Sequence, residues 1–136
     1  MADAVNELYG QIGQFDYDNL IAGEKFPIAQ KGVTLAAGQG ILKRGTLIGI
    51  ITASGLAVLC DSAKTDGSQT PKYILSADAD TGAAGSTLNV PAVAYQSGEF
   101  NRSAVITTSG QDISNFEDQL REFNIILKDT IPYPTN

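Results

Sequence analysis

From Val33 onward the chain alternates short apolar runs with glycine-bearing breaks. V-T-L-A-A is followed by Gly38-Gln39-Gly40, I-L-K by Arg44-Gly45, T-L-I-G-I-I-T by Ser54-Gly55, and L-A-V-L-C closes at Cys60. Runs of this length, β-rich and divided by tight-turn residues, predict strands joined as antiparallel ribbons. Asp61 to Pro71 is a polar loop turning at Asp66-Gly67. Tyr73 to Ala77 returns as a strand, and Asp78 to Ser86 is a second, small-residue loop. The chain is organised around Thr87 to Val105. Leu88, Val90, Ala92 and Ala94 share one parity and Val93 and Tyr95 the other, which predicts a strand buried over much of both faces. Pro91 cannot donate to a ladder, so it belongs at an edge, at a bulge or as the strand's first residue. Gln96-Ser97-Gly98-Glu99 reads as a turn, Phe100 as a return to the core, and Asn101 or Ser103 as the cap of one helical turn.

A helical period appears once. Ile113, Phe116, Leu120 and Phe123 line one face of a predicted helix over 112–124. Asp112 or Ser114 caps its start, Ser114 and Glu117 have capping-box spacing, and Asn124 suits its C-terminal turn. Ile125 to Leu127 reads as a last strand, and Pro132 and Pro134 prevent regular continuation. Residues 1–30 follow no period: Leu8, Tyr9, Ile12, Phe15, Tyr17, Leu20, Ile21 and Phe26 are scattered among Gly, Asn, Gln and acids. Such a segment is either an extended arm that orders on a partner or a frayed terminus with a short helix near Ala4 to Tyr9. Its load of large apolar residues favours the arm, because disordered tails carry few aromatics. The expected fold class is mainly β with a short C-terminal helix (α+β), an arm over 1–30 preceding a compact β-rich body over 31–136.

The 136 residues suit one domain with one core. No stretch reads as a signal segment or approaches the ~18 apolar residues of a membrane span, so no membrane partner is expected and the chain is expected to be made and to stay in the cytoplasm unless a partner carries it. Cys60 is the single cysteine and histidine is absent, which removes a disulfide, the usual general base and the usual zinc ligand together. Of the net charge of −6, the first 24 residues carry most: Asp3, Glu7, Asp16, Asp18 and Glu24, with no Lys or Arg. A phosphate backbone would repel that segment, so nucleic acid is not the expected partner.

The motifs that suggest chemistry have plainer readings. Gly40 to Thr46 has the outer spacing of a phosphate loop but lacks the lysine before the threonine, and Gly38-Gln39-Gly40 lacks the third glycine of a dinucleotide fingerprint. Asp78-Ala79-Asp80-Thr81-Gly82 begins like a calcium loop without the later ligands, so its carboxylates are expected to hold loop backbone N–H groups. Asn101-Arg102-Ser103 matches a glycosylation triplet with no secretory context. Cys60 ends an apolar strand and reads as a small buried hydrophobe. Serines have no His-Asp relay to join, and Lys43, Lys64 and Lys72 sit in turns or loops, so neither catalytic residues nor cofactor or metal ligands are expected.

Four stretches together resemble the head decoration proteins of tailed bacteriophages, the family of phage lambda's decoration protein. They are K-R-G-T-L-I-G at Lys43 to Gly49, P-K-Y-I-L-S-A-D-A-D at Pro71 to Asp80, A-Y-Q-S-G-E-F-N-R-S-A-V-I at Ala94 to Ile106, and L-R-E-F-N-I-I-L-K-D at Leu120 to Asp129. The resemblance implies a β-clip-like body, no enzymatic activity and no cofactor. It further implies homotrimers on the outer surface of the expanded virion head, at local threefold sites, with the major capsid protein as partner and the host cytoplasm as the place before assembly. The arm would reach onto the capsid by β-augmentation, with Tyr9, Phe15, Tyr17, Leu20 and Phe26 as aromatic and apolar anchors. Pro91, Tyr95 and Phe100 are the expected contacts between protomers. The acidic, aromatic arm departs from the Pro-, Ala- and Thr-rich arm of lambda's protein, and its five carboxylates are expected to face a basic capsid surface. A carbohydrate-binding surface module is the competing class, although the chain has no tryptophan and five tyrosines for a sugar platform.

Overall fold

The computed structural model describes residues 20–23 and 25–129. Nine strands, two 3-10 turns and one short helix follow in the order β1 (Ile21–Gly23), β2 (Ala29–Leu35), β3 (Ile41–Leu42), β4 (Leu47–Ile50), β5 (Ala57–Leu59), β6 (Tyr73–Leu75), β7 (Ala79–Asp80), β8 (Val90–Asn101), a 3-10 turn Arg102–Ala104, a 3-10 turn Ile113–Phe116, α1 (Glu117–Glu122) and β9 (Ile125–Lys128). The fold is mainly β with a short C-terminal helix, as the pattern of short runs predicts. The breaks at residues 37–39, 44–45, 52–54 and 66–67 are turns or bends where the glycine-bearing segments place them.

The twelve-residue β8 is the spine. Along Val90 to Ser97 it pairs antiparallel with β2, and at Ala94 and Tyr95 with β6. The path β8-β2-β5-β4-β6 closes back on β8, so five strands form a ring. Beyond the ring the same strand continues: Glu99 and Phe100 pair with β1, and Gly98 to Asn101 pair in parallel with β9. One element thus belongs to a small barrel at its start and to a three-stranded layer at its end.

Two buried clusters follow from this arrangement. All five ring strands feed the inner one, with Leu35, Ile48, Ala57 and Leu75 at its centre and Val90 and Ala92 packed against it. The second lies between the ring's outer face and the C-terminal elements, and contains Leu20, Leu47, Ile74, Tyr95, Phe100, Phe116, Leu120, Ile125 and Leu127. Neighbouring residues of β4 and β6 serve different cores: Leu47 and Ile74 face the outer cluster, Ile48 and Leu75 the inner. Burial on both faces explains why these strands read as continuous apolar runs.

Several expectations change. Residues 96–99 do not turn; β8 runs straight through them with an irregularity where Ala29 faces Ser97 but Gln30 faces Tyr95. Gly98 takes φ 146, and a Cβ there would press on the Phe100 ring and Ile28. Its glycine therefore permits a bulge that moves the strand from one sheet to the other. The strand begins at Val90 and leaves Leu88 outside it, 80 % exposed. Two pairings, β2 with β5 and β8 with β9, are parallel instead of the expected antiparallel ribbons. The predicted helix over 112–124 is split into a 3-10 turn and α1: Asp112 caps the turn by accepting from Ser114 N, Phe116 and Leu120 are buried, and Phe123 escapes the core. Asn124 adopts φ 66 and ends it.

Candidate interaction surface

The N-terminal segment enters the body through backbone and side-chain anchors that begin at Leu20. The Leu20 carbonyl accepts from Asn101 N at 2.7 Å and the side chain is 2 % exposed, beside the fully buried Phe100 in the outer core. β1 then lies on Phe100 and Glu99. The Glu99 carboxylate is the anchor of the following loop: it accepts from Lys25 N at 3.1 Å and from Lys128 Nζ at 2.7 Å, with its side chain 7 % exposed. The Lys128 ammonium first, and then the N–H groups of Lys25 and Phe26, hold this carboxyl below its ordinary range against the opposing effect of burial. Gly23 makes the approach possible, because a Cβ there would collide with the Glu99 carboxylate. Leu20, Ile21–Gly23 and the start of β2 at Ala29, all expected within the arm, therefore belong to the sheet and its core, and the body starts eleven residues earlier than the sequence suggests.

This placement sorts the expected contact residues. Tyr9, Phe15 and Tyr17 lie outside the described residues. Leu20, Tyr95 and Phe100 are core residues of the single chain, not surface anchors: Tyr95 and Phe100 pack as tilted rings 5.3 Å apart, and Phe100 has no exposed area. The bulge at Gly98 is the reason, since it sends β8 between β1 and β9 with the outer core on its inward face. The Tyr95 hydroxyl accepts from Arg44 at 2.6 Å while that guanidinium sits 5.3 Å from the ring centre. Phe26 is half-buried, and Pro91 is exposed at the part of β8 where β2 is the only paired neighbour among the described residues. Pro91 thus occupies the edge position that its missing N–H demands.

Several other polar residues hold the fold together. Asp78 accepts from Arg44 N at 2.7 Å and Asp80 from Gly82 N at 2.9 Å, the loop-holding role expected of them. Asn101 is 3 % exposed and accepts from Ser103 N at 3.2 Å, capping the first 3-10 turn. Arg102 grips Glu117 through Nε at 3.1 Å and Nη2 at 2.8 Å and also reaches Asp129, so it ties that turn to α1 and to the end of β9. Cys60 is fully buried, and desolvation, with Asp61 adding to it, pushes its thiol up to about 12. No group of three potential metal ligands occurs among the described residues.

Two outward-facing grooves run along β2 and the ring's edge and share Lys72 and Tyr73. The first is floored by Ala29, Ser97 and the exposed Phe123; the second by Val33, Ile50, Ala92 and Pro91, with Lys31 at its rim. Lys31 donates to the Tyr73 hydroxyl at 3.2 Å and lies 5.5 Å from that ring's centre. Sequence reasoning missed Glu99, Lys31, Tyr73 and Phe123. Only the failure of Phe123 to stay on the buried helical face carries a local signal, the helix-ending Asn124 beside it.

A family model for bacteriophage lambda head decoration protein D matches residues 9–125. No curated protein matches the chain significantly in sequence. The match takes in every strand of the ring, the spine β8 and α1, and on that coverage the chain belongs to the bacteriophage lambda head decoration protein D family.

Proposed function

We propose that this protein is a structural component of a phage head that binds as trimers to the outer surface of the expanded capsid, over local threefold sites, and holds the shell against internal DNA pressure. The family match over residues 9–125 is the observation that carries this reading. Several of the body's charged side chains, Asp78, Asp80, Glu99, Arg102 and Asp112 among them, are committed to caps, loops and sheet anchors. The arm, residues 1–19, is the capsid-binding element, with Tyr9, Phe15 and Tyr17 as anchors, and Phe26 stands where that arm meets the body. Pro91 at the open part of β8 is the residue of the expected protomer contact that remains on the surface. Three arms on one trimer make attachment multivalent, so modest single contacts sum to durable binding. Because such a molecule binds the expanded lattice and not its precursor, it stabilises the expanded state by mass action.

The test mixes purified full-length protein with expanded, undecorated heads and measures co-sedimentation and head survival on heating, beside a variant lacking residues 1–19. The full chain binds and raises the temperature of head rupture; the shortened one binds at least tenfold more weakly. Equal binding by both removes the arm from the account, and no binding by the full chain removes the capsid. Raising salt weakens attachment if the arm's carboxylates face a basic surface; unchanged binding sinks that electrostatic part.

A further inference from the structure

The outer edge of β2 is an open strand edge. Pro91 stands directly opposite Thr34 and has no N–H to give, so that pair is a non-hydrogen-bonded one and the N–H and C=O of Thr34 turn away from β8. The register continues without a break through Gly32 and Gln30, whose backbone groups point the same way. On that side β5 reaches only the end of β2, where Ala36 N donates to the Ala57 carbonyl beside the Leu35–Ala57 bridge, and no strand among the described residues pairs with the edge from Gln30 to Val33. Exposed unpaired edges of this kind are templates for an added strand. The edge borders the second groove, whose floor of Val33, Ile50 and Ala92 is apolar and whose cations are Lys31 and Lys72.

One segment of this chain has the complementary pattern. Gln14-Phe15-Asp16-Tyr17-Asp18 alternates strictly, so an extended conformation puts both aromatics on one face and both carboxylates on the other. We infer that residues 14–18 of a second copy add to the β2 edge, backbone to backbone, with Phe15 and Tyr17 on the face of Val33, over the apolar floor, and both carboxylates on the opposite face, beside Gly32 and Thr34. The chain's own residues cannot do this. Leu20 is fixed beside Asn101, whereas Val33 faces Ala92 nine residues back along β8, roughly 30 Å at ~3.3 Å per strand residue. Phe15 is five residues from Leu20 and spans at most about 17 Å. The same strand then has two alternative edges, a sibling's in solution and the capsid's on the head, and leaving the first is a step in gaining the second. This rests on the arm acting as a docking strand in the proposed function.

The experiment mixes two full-length variants, Thr34→Cys and Asp16→Cys, with a short bismaleimide. The native Cys60 stays silent because it is buried with a thiol pKa near 12. A cross-linked heterodimer forms, and falls at least tenfold when the Thr34→Cys chain also carries Gly32→Pro, which removes an outward N–H at a site where a side chain meets nothing within 4 Å. Unchanged thermal unfolding of the Gly32→Pro chain shows that the fold is kept. The inference is overturned by no heterodimer, by one that Gly32→Pro leaves undiminished, or by preferential cross-linking within a single chain carrying both cysteines at high dilution. Head binding separates the two claims: if the wild type binds heads and no cross-link forms, only this inference falls. If the cross-link forms and heads are not bound, this inference stands and the capsid reading falls.

Discussion

Replacing Phe100 by alanine distinguishes a core residue from a contact between protomers. The ring has no exposed area, packs tilted against Tyr95 with centroids 5.3 Å apart and sits in the cluster that joins β1, β8, α1 and β9. Its removal costs the transfer energy of the lost atoms plus the cavity left behind, about 3–5 kcal/mol for a buried Phe→Ala change. The cavity cannot collapse easily, because Leu20, Tyr95 and Leu127 are each held by strand pairing or by hydrogen bonds. At about 4 °C per kcal/mol for a body of this size, the loss lowers Tm by roughly 12–20 °C. Calorimetry on the free protein at several concentrations measures it, with Pro91→Ala as the surface control. The control lies on the exposed stretch of β8 and shifts the free protein's Tm by less than about 2 °C, as surface changes do. A Phe100→Ala chain that melts within about 5 °C of wild type, yet fails to assemble on heads, refutes the core assignment and restores Phe100 as an interface residue.

Two further changes probe the scaffold. Gly49 sits in β4 opposite Val58, and a Cβ there would come closer than 3.0 Å to the backbone of Ser68, which is fully buried and held by the Asp66 carboxylate. Gly49→Ala therefore overpacks the loop against the ring and destabilises by about 1–3 kcal/mol, read by urea denaturation; a stabilised variant refutes the contact. Glu99 has its folded pKa below the ordinary value of 4.5, so the stability it contributes is present above that value and is lost as pH falls through the folded pKa. Glu99→Gln is accordingly less stable than wild type at pH 7, and the gap closes on acidification below about pH 4.5; a gap that is constant down to pH 2 removes the carboxylate from the account.

The body was legible in the sequence because its strands obey local rules. Glycines at the turns, β-branched runs between them and a single helical period at Ile113, Phe116 and Leu120 are features of neighbouring residues, and the structure keeps them. Gly98 shows where this stops. In sequence, Q-S-G-E looks like any turn, since the residue that permits a reversal also permits a bulge, and the choice is made by what lies alongside. Here β2 and β1 lie end to end along one edge of β8 while β6 and β9 lie along the other, so the backbone groups of 96–99 have partners on a straight path that a turn would orphan. The same distant partners decide the site. Glu99 acquires its role from Lys128 and from the loop at Lys25, and the groove from Lys31 and Tyr73, 42 residues apart. Large apolar residues near the N-terminus look alike in sequence, yet Leu20 is captured by the core because it immediately precedes a strand that has Phe100 to pair with. The division between arm and body is thus set by where β8 ends, a length that only the pairing of four other strands determines.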